Sequence, residues 1–117
     1  MAVAGSFGEL AAEEPYPGVR RYAFDTERAT VTRYEFEPGA TFPLHRHPQE
    51  QITLIEAGDV AFTIDGAVER LGPGGYSVVG AEVVHGITAG AGGARFVAIV
   101  IPPRSVADPY TVTGDAA

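Results

Sequence analysis

The 117-residue chain contains no cysteine, no lysine and no tryptophan, and the first two absences each remove a class of chemistry. Without cysteine there is no disulfide framework, no thiolate nucleophile and no sulfur-ligated zinc, so any bound metal has to be held by nitrogen and oxygen. Without lysine there is no Schiff base to a carbonyl substrate. The cationic side chains are eight arginines, set against fifteen acids for a net charge of −7. A surface this acidic lacks the basic footprint that a phosphate backbone needs, which argues against nucleic acid as a partner. Long apolar runs are missing too. No window approaches the ~20 residues of a membrane span, and MAVAGSFGELAAEEP has neither the basic start nor the apolar block of a signal peptide. A cytoplasmic protein with no membrane partner is the expectation.

What the chain does have is turn residues and a period of two. Fifteen glycines and nine prolines punctuate short alternating runs. VAFTI (60–64) puts Val60, Phe62 and Ile64 on one face, and the Asp65-Gly66 pair that follows is a favoured hairpin turn into AVERL (67–71). Further strands are expected at 20–25, 30–36, 52–57, 76–79, 84–89 and 95–101, separated by the turn signals EPGA, AGD, GPGG and GAGG. FGELAAEE (7–14) could form a helical turn or two before Pro15 and Pro17 close it off. Length allows one core. Many short strands with almost no helix predict a β-sandwich or small barrel at 20–104, with an extension at 1–19 and an extended tail at 105–117.

HRHPQEQITLIEAG (45–58) raises the question of a site. Side chains two apart on a strand share a face, so His45 and His47 would project together, Gln51 has their parity and Glu50 does not. Pro48 is a candidate corner that resets the alternation. His85 stands alone in VVHG. Taken singly, each histidine is more often a surface polar residue or a hydrogen-bonded core residue than a ligand. Phe36, Phe42, Phe62, Tyr76 and Phe96 are candidates for an inward-facing wall. Arg104, in PPR just after the last expected strand, could reach back over a barrel mouth to a carboxylate or lie solvated.

GATFPLHRHPQEQITLIEAG (39–58) resembles the first motif of the cupin superfamily, with Gly39, His45, His47 and Gly58 at the required spacings and Gln51 at the acid's position. LGPGGYSVVGAEVVHG (71–86) resembles the second and puts His85 at its histidine, while Gly80, Glu82 and Ala89 depart from its usual proline, glycine and asparagine. The resemblance implies an all-β double-stranded β-helix, or jelly-roll barrel, with one divalent transition metal ion (Fe, Mn, Co, Ni, Cu or Zn) held by His45, His47, Gln51 and His85. The order of PGVRRYAF, EFEPGA, HPQEQ, FTIDG, HGI and PPR is closest to small cupins of the pectin-degradation type, which act on unsaturated uronates. That likeness implies a catalytic role for Arg104, but its acid and aromatic fall on Ala98 and Val100. The functions implied are Lewis-acid isomerase or lyase chemistry on a small carboxylate or sugar, a quercetinase-like metal-dependent dioxygenase, or ligand binding without turnover. A homodimer is expected, with the strand at 20–25 offering an edge to a second subunit.

Overall fold

The computed structural model describes residues 2–104 and 110–113. A short 3-10 turn at Phe7–Glu9 precedes nine strands: β1 (Glu13–Tyr16), β2 (Val19–Asp25), β3 (Thr30–Phe36), β4 (Thr41–Arg46), β5 (Glu50–Ile64), β6 (Ala67–Leu71), β7 (Tyr76–Val79), β8 (His85–Ile101) and β9 (Thr111–Val112). The helical reading of 7–14 thus holds for one turn, after which the chain extends into β1. The tail expected at 105–117 is described only at 110–113, where β9 adds to β4.

Two long strands organise the molecule. β5 and β8 pair antiparallel along nearly their whole length, from Glu50↔Ile101 to Ile64↔His85. The sequence reading splits each in two at AGD and GAGG. In the structure these glycines bend the strands instead of reversing them. Gly58 and Gly93 both have positive φ, 73° and 76°, and the two strands approach so closely there that a Cβ on Gly58 would run into the Gly93 carbonyl. The register shifts between Ile55 and Ala57 and again between Gly58 and Val60.

The bend divides one hydrogen-bonded network into two facing sheets. On one side of it, residues 94–100 of β8 pair with β3, and residues 50–58 of β5 carry β7, giving the order β1-β2-β3-β8-β5-β7. On the other side, residues 85–88 of β8 pair with β4, and residues 60–64 of β5 carry β6, giving β9-β4-β8-β5-β6. The result is a jelly-roll barrel.

Alternation then decides what lies between the sheets. β3 turns Thr30, Thr32, Tyr34 and Phe36 inward, β8 turns Phe96, Ala98 and Val100, and the opposite sheet contributes Phe42, Val60, Phe62 and Ile87. Tyr34, Phe36, Phe42 and Phe96 form one aromatic block with ring centroids 5.1–6.1 Å apart. Burying each such ring contributes roughly 1.5–3 kcal/mol. Tyr76 is a correction: it is 69% exposed, because β7 alternates with Ser77 and Val79 facing in. Tyr34 takes the wall position instead.

Candidate metal centre

β4 and β8 place His45 directly opposite His85, as register partners in the same sheet. The chain leaves β4 after Arg46, so His47 stands in the connection ahead of β5, and Gln51 then enters from the facing sheet as the second residue of that strand. Convergence therefore does not come from one strand running through 45–51; the break at Pro48 brings two sheets and a loop together. All four side chains are buried, with His45, His47, Gln51 and His85 only 7, 4, 8 and 1% exposed. One ring nitrogen from each histidine lies within 4.8 Å of the others, and the rings of His45 and His85 are 4.1 Å apart.

Backbone carbonyls set the tautomers. His45 Nδ1 lies 2.7 Å from the Pro43 carbonyl, His47 Nδ1 3.0 Å from that of Gln49, and His85 Nδ1 2.9 Å from that of Val83. A carbonyl can only accept, so each neutral ring carries its proton on Nδ1 and presents a bare lone pair at Nε2. Burial, reinforced by the charge of its neighbour His85, lowers the pKa of His45 to about 3. Burial likewise lowers that of His85 to about 4. Both rings are neutral at neutral pH, as metal ligation requires.

Gln51 makes the arrangement chemically specific. Its amide NH2 donates to Thr53 Oγ1 at 3.0 Å, which turns Oε1 toward His47 Nε2 at 3.1 Å and His85 Nε2 at 3.3 Å. Acceptors thus face acceptors in a buried pocket. A cation resolves that conflict, so the donor set suits a divalent transition metal held by three imidazoles and an amide oxygen.

The loop before His85 is shaped by a residue in an unusual conformation. Glu82 occupies the left-handed region at φ 62°, in place of the glycine the motif favours, and its N–H donates to the His47 carbonyl at 2.8 Å. That bond ties the two histidine-bearing loops together. Arg104 lies at the pocket with its backbone N–H donating to Thr30 Oγ1 at 2.8 Å, and the Thr30 hydroxyl in turn donates to Asp25. Among the described residues no carboxylate pairs with the Arg104 guanidinium. Glu50 is exposed and outside the pocket.

The cavity bounded by this cluster, Arg104 and the aromatic block is about 20 Å³, room for roughly one water. Among the described residues no carboxylate lines it. Ala98, where the resemblance expects an acid, does face inward, opposite Thr32 on β3 and Thr53 on β5, but offers a methyl group. Two residues invisible to motif reading pack against the cluster from outside the cavity lining: Tyr110 packs its ring 5.2 Å from both Phe42 and His45, and its hydroxyl bonds that of Tyr16 at 2.8 Å. Burial and that hydrogen bond raise the Tyr110 pKa above the usual phenol value, so it stays neutral.

Among solved structures, an RmlC-like cupin from Shewanella frigidimarina matches with TM-score 0.80 and 24% identity over 89% of this chain and 95% of its own. KdgF from a Halomonas species matches with TM-score 0.78 and 25% identity over 87% and 97%. An oxalate decarboxylase variant from Bacillus subtilis shares the fold, at TM-score 0.83 and 18% identity; 97% of this chain spans 33% of that one. Among curated proteins none matches significantly in sequence. The likeness to pectin-degradation cupins agrees with the KdgF match. The cupin-domain family model matches residues 32–102, more than half of the chain and both histidine motifs, so the protein belongs to the cupin family.

Proposed function

We propose that the protein is a metal-dependent enzyme acting on a small carboxylate by Lewis-acid isomerase or lyase chemistry, with His45, His47, Gln51 and His85 as ligands. The observation that carries it is the set of four lone pairs aimed at one another, each fixed by a hydrogen bond on its far side. A bound divalent ion supplies positive charge that polarises a substrate oxygen and lowers the pKa of what it holds. Among the described residues no carboxylate stands in the cluster to offset that charge, the four donors being three imidazoles and an amide. Arg104 is the second positive charge, and its role is to grip and orient an acid group, while the aromatic block excludes water. A cavity with room for about one water does not admit a substrate carboxylate or a sugar ring, so turnover requires lining residues such as Arg104 to move aside.

The lining among the described residues, aromatic and aliphatic apart from the candidate donors and Arg104, favours a second reading, a metal-dependent dioxygenase, in which substrate is held by the aromatic wall. Metal analysis and titration, followed by an oxygen-uptake screen, separate the two. The proposal expects one ion per chain, its loss in His45→Ala, and Arg104→Ala that keeps the ion but turns over small carboxylates ~30-fold less efficiently. Oxygen consumption with neutral aromatics, unaffected by Arg104→Ala, would move the assignment to the dioxygenase.

A homodimer belongs to the same proposal, with a revised surface. β2 is paired on both sides, by β1 and β3, so it is not the free edge the sequence suggests. The outward face of the β7-β5-β8 sheet offers more: Leu54 and Tyr76 are cross-strand partners, Val78 and Ile101 flank them, and all four are exposed. On a chain of net charge −7 this largely apolar patch, with Glu50 at its edge beside Ile101, is where a second copy meets least repulsion. Light scattering at micromolar concentration should give twice 12.2 kDa, and Tyr76→Glu should return the monomer mass.

A further inference from the structure

Thr53 is a buried polar residue that the metal-binding reading leaves unused. It is fully buried, at 0% exposure, and sits two residues beyond Gln51 on the same inward face of β5. Its hydroxyl oxygen accepts from the Gln51 amide at 3.0 Å. The strand neighbours opposite it are Ala98 on β8 and Ser77 on β7, so no charged group stands beside it in either register.

An amide ligand differs from a carboxylate in having a wrong way round. Turned over, Gln51 would donate its NH2 to the bare Nε2 atoms of His47 and His85, and its oxygen would accept from the Thr53 hydroxyl. That arrangement satisfies the pocket with no cation and blocks one. The orientation in the structure, with Oε1 toward the rings, leaves the pocket ready for a cation, and it leaves an NH2 that must find an acceptor in a dry interior. Thr53 is that acceptor. An ion drawing electron density through Oε1 makes the amide N–H a stronger donor, so this bond gains strength when the site is loaded.

Resting on the metal-binding reading, we propose that Thr53 is a positioning residue for the metal site: its hydroxyl accepts the Gln51 N–H when Oε1 faces the rings, and because that bond strengthens once an ion is bound, while the bond to a turned-over amide does not, it favours the ligating orientation of the loaded site and raises its affinity for divalent ions.

The test compares wild type, Thr53→Val, Thr53→Ser, Gln51→Glu and the double variant Gln51→Glu/Thr53→Val, using calorimetric titration with Co²⁺ and Zn²⁺ and the visible absorption of the Co²⁺ form. Valine keeps the shape and removes the acceptor. Thr53→Val should bind each ion about 10-fold more weakly, within the 10- to 100-fold range for lost outer-sphere partners, with an altered Co²⁺ spectrum; Thr53→Ser should restore both. In the Gln51→Glu background, where nothing can turn over and no N–H needs a partner, the same change should cost less than ~3-fold. Equal affinity and spectrum in wild type and Thr53→Val would overturn the proposal, as would an equal loss in the glutamate background. Wild type that takes up neither ion would instead overturn the metal-binding reading beneath it.

Discussion

The two halves of the barrel interior are equally dry and built from the same strands, yet they differ in what their packing leaves unresolved. Toward one end, Tyr34, Phe36 and Phe96 meet as tilted, edge-on and stacked rings, and every contact there lowers the free energy of the folded chain. Toward the other, the hydrogen bonds of His45, His47 and His85 to backbone carbonyls are all on the outer side of the rings, and the inner side is a set of opposed lone pairs. β8 supplies both ends, His85 at its start and Phe96 eleven residues on. Fold stability and ligand affinity are thus separated by position along one strand. A buried polar cluster that does not satisfy itself is a sign of function rather than of folding.

The sharpest way to break that comparison is a pair of truncations. Phe96→Ala leaves a cavity under Tyr34 and Phe36 and should cost about 3 to 5 kcal/mol of folding free energy in the metal-free protein. His47→Ala removes a buried side chain too, but it also removes one of two acceptors facing Gln51 Oε1, so its folding cost should stay below about 2 kcal/mol while ion binding is lost. Urea unfolding of the metal-free forms and a Zn²⁺ titration of each read both quantities. Equal folding costs would mean that the histidine end is ordinary core.

Acid tests the same end by a smaller effect. Above pH 6.5 His45 and His85 are neutral in both folded and unfolded chains and contribute nothing to the pH dependence. Below it the unfolded chain takes up protons that the folded one refuses until about pH 4 for His85 and about 3 for His45, so stability falls as pH drops through this window. At about 1.4 kcal/mol per pH unit for each ring, the metal-free protein should lose about 2 to 4 kcal/mol between pH 7 and pH 5. The urea midpoint followed over that range measures it. A flat profile would mean that water reaches the rings.

How much of this was legible follows from what kind of information each feature needs. The period-two runs and the Asp65-Gly66 turn are local, and the β5-β6 hairpin appears where the sequence puts it, Val60 opposite Leu71. The family resemblance carries the three histidines, whose meeting depends on the β4-β8 register and a bend at paired glycines more than thirty residues apart. AGD and GAGG look like turns because glycine permits both reversal and bending, and only the partner strand decides between them. Tyr76 reads as core from its aromatic character, and only the pairing with β5 sets the phase that turns it outward. Thr53 and Tyr110 had no signal at all. Thr53 matters through its bond to Gln51, and Tyr110 through its packing on Phe42 and His45 and its bond to Tyr16, none of which a spacing rule encodes.

The smallest expected effect is at Glu50, and it tests the phase of β5 directly. Glu50 and Gln51 are adjacent on the strand, so the alternation that brings the amide in turns the carboxylate out. The structure has Glu50 exposed at the first position of β5, opposite Ile101, and Gln51 buried beside Val100. A carboxylate in water on the far side of the sheet is screened from the ion, and its removal takes away one of fifteen acids and no ligand. Glu50→Ala should therefore change the Zn²⁺ dissociation constant by less than ~2-fold, about 0.4 kcal/mol, at 0.15 M salt. A loss of ten-fold or more would mean that the strand enters the barrel one residue out of phase, with glutamate and not glutamine as the fourth donor, and the Thr53 contact would then have no role in ion binding.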